Sequence, residues 1–289
     1  MNILTFDIED WFIINDSDWI HHSRWSTLPS HIENNVKTIL ALLDKHGVKA
    51  TFFILGWVAE HHPKLVREIH ERGHEIGFHS YYHRRPQRQS EHEFEEELVR
   101  GLTLLEDITG VRVTKYRAPN LSLTSETQWV YPVLARNGIT VSSSVISLKK
   151  LHLTDIHNNP VRVRTIDGDI LEFPLNRLDL KVLKLIYSGS GFFRLFPFWA
   201  LNRLFRKGQY NLLYFHPRDF DPGVPRPTSL SCYRNWKHSV NTSSTLPKLD
   251  KLMYQTIFTT LTEAAETYKH LHLPEVNLIP PYPFRKTGS

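Results

Sequence analysis

The chain has a single cysteine, Cys232, among 289 residues. One thiol excludes an intrachain disulfide and any Cys-rich zinc module, so a metal would have to be held by histidine and carboxylate. No stretch approaches the ~18 uninterrupted apolar residues that read as a membrane-spanning helix. The start, Met1-Asn2-Ile3-Leu4-Thr5-Phe6-Asp7, lacks a basic segment followed by a long apolar one. No secretory leader is therefore expected, and the default location is cytoplasmic, with peripheral contact to the inner face of the membrane allowed. Long runs of like charge are missing too. The 35 Lys and Arg are interleaved with 30 Asp and Glu, for a net +5 and a pI near 9.2. Such mild, dispersed basicity suits solubility and gives no nucleic-acid-binding arm. There is no internal repeat and no low-complexity linker, so one unit spanning 1–289 is expected. What is present, 40% hydrophobic and 12% aromatic residues, is globular and large enough for a sizeable core.

Short apolar runs alternate with helical periodicity. Ile3 to Phe6 reads as a buried strand. Ser30-His31-Ile32-Glu33 has capping-box spacing, and Ile32, Val36, Ile39, Leu40 and Leu43 recur at helical period until Gly47. Ala50 to Leu55, His74 to Phe78, Val113 to Tyr116 and Ile139 to Val141 are further strands. Between them lie helices opened by Pro63 and by Ser90-Glu91-His92-Glu93, and one over Thr124 to Arg136 kinked at Pro132. Val161 to Ile166 and Asp169 to Phe173 flank Asp167-Gly168 as a hairpin, and Asn211 to Phe215 is a late strand. Leu249 to Ala265 reads as one long helix, and Pro280-Pro281-Tyr282-Pro283 as an extended tail. Alternating strands and helices imply a parallel α/β sheet.

Polar residues gather where these strands end: Asp7, Glu9 and Asp10, then His79, Ser80 and His83, then Arg117, then His216. In parallel α/β folds the carboxyl ends of strands carry the site, and four contributing strands favour a closed barrel. His79 and His83 would face the same way on a helical turn, as two metal ligands do. Among 17 histidines, however, such a pair is weak evidence by itself. Three carboxylates within four residues repel one another unless a cation or a base holds them, although a solvated loop would also serve. Arg117 alone could be an ordinary ion pair, and His216 a core histidine.

Together these residues resemble the polysaccharide deacetylases, the NodB-homology carbohydrate esterases. The likeness rests on Thr5-Phe6-Asp7, His79-Ser80-Tyr81-Tyr82-His83, Tyr116-Arg117-Ala118-Pro119 and Leu213-Tyr214-Phe215-His216, in that order. Ala50-Thr51-Phe52-Phe53 and Gly73-His74-Glu75-Ile76-Gly77 add to it. Gly189 to Arg194 and His216-Pro217 through Asp221-Pro222 look like the subfamily of bacterial exopolysaccharide loci, with a C-terminal extension over about 175–289. The resemblance implies a distorted (β/α) barrel of about seven parallel strands. It also implies a metal-dependent hydrolase that removes N-acetyl groups from a glycan or lipid-linked saccharide. A divalent metal, zinc first among them, would be held by His79, His83 and an acid of the first motif. Asp7 would be general base, Arg117 its partner, and His216 the acid for the leaving amine. Backbone N–H groups near Pro119 would help bind the oxyanion.

The chain departs from the family twice. Ile8 follows Asp7 where a second aspartate is usual, which leaves Glu9 or Asp10 as metal ligand; residue type favours Asp10. Val141-Ser142-Ser143-Ser144 stands where an aspartate often supports the acid histidine, so Glu172 or Asp219 must orient His216 or nothing does. The second case would leave a weakened, glycan-binding relative. A small-amide hydrolase is another alternative. Trp11, Tyr82 and Pro119 are candidate substrate contacts, while Trp19 and Trp25 read rather as a satellite core. Phe192 to Phe205, with Arg194, Arg203 and Arg206, reads as an amphipathic segment packed on the barrel, with lipid phosphate as the other possibility.

Overall fold

The computed structural model describes residues 1–13, 20–146, 159–176, 178–179, 184–208, 210–225 and 231–278; Trp19 and the proline-rich tail lie outside them. Its strands are β1 (Asn2–Ile8), β2 (Thr51–Ile54), β3 (Glu75–Phe78), β4 (Lys115–Tyr116), β5 (Val141–Ser142), β6 (Val161–Thr165), β7 (Gly168–Glu172), β8 (Leu178–Asp179), β9 (Lys184–Leu185), β10 (Asn211–Phe215) and β11 (Glu275–Asn277). One nine-stranded sheet has the order β10-β1-β2-β3-β4-β5-β7-β6-β11, while β8 and β9 pair separately. From β10 through β7 every neighbouring pair is parallel, which makes seven parallel strands; β6 then turns back antiparallel on β7. This is the expected barrel-like α/β fold.

Alternation along β1 shows how the sheet curls. Leu4, Phe6 and Ile8 join the outer cluster under the helices, where the Phe6 ring stacks on Phe52 at 5.0 Å. Ile3 joins Phe53, Val141, Leu171, Phe173 and Leu212 in a second, inner cluster. A strand buried on both faces must be apolar on both, which is why these strands read as continuous apolar runs. No ladder joins β7 to β10. Asn176, fully buried, bridges that gap: its Nδ2 donates to the Tyr210 carbonyl at 2.8 Å and its Oδ1 accepts from the Leu212 N–H. Tyr210 Oη also donates to the Pro174 carbonyl at 2.7 Å.

Helices α1 (Ile32–His46), α2 (Gly56–His61), α3 (Pro63–Glu71), α4 (Glu91–Thr109) and α5 (Val130–Arg136) follow successive strands. Ser90 and Glu93 form the predicted capping box on α4. The one predicted for α1 is absent, because Ser30 Oγ donates to Asp10 instead, at 2.5 Å. Pro132 sits in the first turn of α5, where a missing N–H costs nothing, so it starts a helix and does not kink one. Next come α6 (Ser190–Leu195), α7 (Phe198–Lys207), α8 (Cys232–Ser239), α9 (Thr245–Met253) and α10 (Leu261–Lys269). The single long helix expected over Leu249 to Ala265 is thus two. Thr260 caps α10 through a box with Glu263, and Thr259 pairs with the first strand through Leu4 N–H and Asn2 carbonyl, which fixes the break. No helix among the described residues is long and apolar enough to cross a membrane.

Candidate active site

The side chains predicted at the strand ends meet at one rim. Asp7 leaves β1 facing inward, in phase with Ile3 and Thr5, and Glu9 follows at the end of the strand. His79 comes directly after β3, Arg117 after β4, Ser143 after β5 and His216 after β10. All six are buried.

His79 and His83 are not on a helix. The turn between them has two left-handed residues, Ser80 at φ 62° and His83 at φ 56°, and this reversal points both imidazoles at one place. Its carbonyls are pinned by α2, whose Gly56 N–H donates to Ser80 O and Trp57 N–H to Tyr81 O, both at 3.0 Å. Gly56 is needed there, because a Cβ would lie 2.4 Å from the Tyr81 ring.

Glu9 Oε1 stands 3.0 Å from His79 Nε2 and 3.0 Å from His83 Nε2. His79 Nδ1 lies 2.8 Å from the Arg117 carbonyl, which only accepts, so Nδ1 carries a proton; with no cation present Nε2 donates to Glu9 Oε1 as well, and a bound cation would take the place of that second proton. His83 Nε2 is buried without a well-formed hydrogen bond. Two imidazole nitrogens and a carboxylate oxygen that converge in this way fit a divalent cation that accepts nitrogen and oxygen donors. Burial opposes charge on Glu9, yet His83, His216 and His79 outweigh it and hold its pKa well below the ordinary value. Burial likewise opposes charge on His79, but Asp7 and Glu9 raise its pKa.

Asp10 is elsewhere, and the preference for it is corrected. Its carboxylate accepts from Trp11 N–H at 2.8 Å, Ser30 Oγ and His31 N–H at 3.3 Å, and so anchors the start of α1. Residue type misled because either acid can bind a metal, whereas backbone direction decides which one points inward.

Arg117 is fully buried inside the barrel. Its guanidinium donates to Asp7 Oδ1 at 2.7 Å, Thr5 Oγ at 2.8 Å, the Ser143 carbonyl at 3.0 Å and Ser143 Oγ at 2.9 Å, and it lies 4.2 Å from the Phe53 ring centre. Ser143, directly after β5, therefore holds this arginine through both its carbonyl and its hydroxyl. Glu172 is committed nearby, accepting from Ser144 N–H and Tyr131 Oη, and does not reach His216. Asp219 does: its Oδ2 is 3.3 Å from His216 Nδ1 and accepts the His216 N–H at 2.9 Å. Burial opposes the Asp219 charge, but His216, Arg194 and Arg218 lower its pKa. His216 thus has a carboxylate partner in Asp219.

Three substrate-contact expectations fare differently. Trp11 is buried, with Nε1 donating to the Pro29 carbonyl at 2.8 Å, so its ring belongs to the core. Tyr82 stacks on His22 at 4.1 Å and accepts from Arg100. Pro119 is buried, two residues after Arg117. The N–H groups of Arg117, Ala118 and Leu121 already donate to Phe78 O, Ser144 Oγ and Ala118 O, so they are spent as oxyanion donors. Trp25 is core as expected, packed on Trp57 at 5.4 Å, and Cys232 is exposed. The sequence reading missed Arg218, which donates to Glu9 Oε2 at 3.1 Å. A buried arginine two positions after His216 is visible only as one more basic residue in the sequence.

Family models now match both parts of the chain. Polysaccharide deacetylase covers residues 3–141, and Domain of unknown function (DUF3473) covers residues 143–266. Residues 3–141 belong to the polysaccharide deacetylase family. The sheet runs through both segments, since β7 and β10 lie in the second. A peptidoglycan-N-acetylglucosamine deacetylase of Bacillus cereus is 37% identical over 81 residues, 28% of this chain and 30% of that protein. A peptidoglycan deacetylase of Helicobacter pylori is 32% identical over 87 residues, 30% of each. The matched stretch thus spans under a third of these relatives' length. The crystal structure of a candidate polysaccharide deacetylase from Mycobacterium smegmatis aligns with 95% of this chain and 94% of its own, at TM-score 0.62 and 21% identity, and shares the fold.

Proposed function

We propose that the protein is a metal-dependent hydrolase that removes N-acetyl groups from an amino-sugar-containing glycan. The observation that carries this reading is the convergence of Glu9, His79 and His83 beside Asp7 and His216. A divalent cation held by those three, with zinc the best match to two imidazoles and one carboxylate, would supply Lewis acidity to the acetamide carbonyl.

The chain's own groups account for the proton transfers. Arg117 occupies Asp7 Oδ1, which leaves Oδ2 to take a proton from the attacking water. Asp219 holds His216 Nδ1, so Nε2 presents its proton to the departing amine. Water supplies the new C–O bond, the C–N bond breaks, and acetate and a free amine leave. Asp7 and His216 then return to their starting protonation through solvent.

We read the glycan more narrowly as a bacterial surface polysaccharide or its lipid-linked precursor. Support comes from the subfamily resemblance and from α7, which exposes Trp199, Arg203 and Arg206 along one face, in keeping with contact to an anionic membrane surface. Purified protein supplied with zinc and N-acetylated amino-sugar oligomers should release acetate, and His79→Ala should abolish that release. A His79→Ala protein as active as the wild type would overturn the site assignment.

A further inference from the structure

Three buried carboxylates at this rim each face an arginine: Asp7 with Arg117 at 2.7 Å, Glu9 with Arg218 at 3.1 Å, and Asp219 with Arg194 at 3.7 Å. The Arg117 pair belongs to the proposed base and the Arg194 pair braces the His216 partner. The Arg218 pair stands apart, because it acts on the acid that faces the two imidazoles. Arg218 comes from the turn Pro217–Phe220 directly after His216, is only 5% exposed, and also donates to the Ile13 carbonyl at 3.4 Å. The turn is itself fixed, since Asp219 Oδ2 accepts the His216 N–H. Glu9 is therefore held from behind by a side chain with little room to swing away.

We infer that Arg218 is a positioning residue that occupies the outer oxygen of Glu9, so that the carboxylate offers a single oxygen, Oε1, to a cation shared with His79 and His83. This inference rests on the metal-site reading above and goes beyond it. A carboxylate with both oxygens free can turn to chelate, or can rotate away from the imidazoles. With Oε2 bonded to a buried guanidinium, only the orientation that aims Oε1 between the two rings remains. The arginine also makes a prediction about sign. Its positive charge should weaken cation binding, whereas its grip on Glu9 should strengthen it. Partners that orient metal ligands typically change affinity by ~10–100-fold, so the grip dominates.

The test is calorimetric zinc titration of the full chain, stripped of metal beforehand, as wild type, Arg218→Met and Arg218→Lys. Arg218→Met should bind zinc about 10–100-fold more weakly. Arg218→Lys, which keeps a donor of similar reach, should recover most of the loss. Zinc binding by Arg218→Met as tight as wild type, or tighter, would overturn the inference. Should Arg218→Met fail to fold, a crystal structure of the zinc-loaded wild type decides: Glu9 bonded through one oxygen, with Arg218 still on the other, supports the positioning role. Both Glu9 oxygens on zinc, with Arg218 displaced, refutes it. Wild-type protein that binds no zinc at Glu9, His79 and His83 would instead defeat the underlying metal-site reading.

Discussion

Replacing Arg117 is the sharpest test of how the site is held. Its side chain is fully buried and that of Asp7 is 5% exposed. Removing one partner of a buried ion pair costs ~3–5 kcal/mol, because the other charge is left uncompensated. Arg117→Met also strands Ser143 and Thr5 as acceptors, so the upper part of that range, about 4–5 kcal/mol, is expected. A domain is stable by only ~5–15 kcal/mol, so the variant should fold but with a large fraction of its stability gone. Asp7→Asn leaves the guanidinium uncompensated and should cost about 3 kcal/mol. The double variant removes both charges and should cost scarcely more than Arg117→Met, which gives a coupling of about 2–3 kcal/mol. Urea unfolding of metal-free protein, followed by tryptophan fluorescence, measures all three. Effects that add to within about 0.5 kcal/mol would refute the pairing, since independent sites behave that way.

Other outcomes follow from the same geometry. Asp10→Asn should cost about 1–2 kcal/mol through the start of α1 and leave zinc affinity within a few-fold, whereas Glu9→Gln should lose zinc binding; a folded Asp10→Asn protein unable to bind zinc would contradict this. Gly189→Ala places a Cβ 2.0 Å from the Tyr214 carbonyl, on the strand leading to His216. A loss of about 3 kcal/mol or more is expected in thermal unfolding, and an unchanged melting point would deny the close approach. Glu9 and Asp219 have folded pKa values below their ordinary 4.5 and 3.8, so their stabilisation is present above those values and is lost as pH falls through the folded ones. Metal-free protein should weaken on acidification below about pH 4.5, and Asp219→Asn should show a shallower slope. His79 has the opposite sign: raised above 6.5, it stabilises fully below that pH and loses the contribution as pH rises through the folded value.

Local sequence signals identified what local physics controls. Ile3 to Phe6 is apolar because a central parallel strand is covered on both faces. Ser90 with Glu93 caps α4 because both partners lie within one turn. The paired histidines and the arginine after β4 were visible as polar residues at strand ends, where a barrel exposes side chains at its rim. Signals that depend on a distant partner were misread. Ser30 looked like a cap, but Asp10, twenty residues earlier, takes its hydroxyl. Leu249 to Ala265 has helical period throughout, yet pairing with β1 near Thr259 breaks it.

The amino-acid order by itself determined the strand-and-helix alternation, the likeness to the deacetylases and the pool of titratable side chains from which a site could be drawn. It could do so because strand burial, helix periodicity and residue chemistry are expressed within a few positions of the chain. Only the folded barrel decided that Glu9 and not Asp10 faces the histidines, that Asp219 steadies His216, and that Arg218 closes on Glu9. Those assignments depend on which way a carboxylate points and on what stands within about 3 Å of it, and for Glu9 the answer comes from residues 70 and 209 positions away, His79 and Arg218.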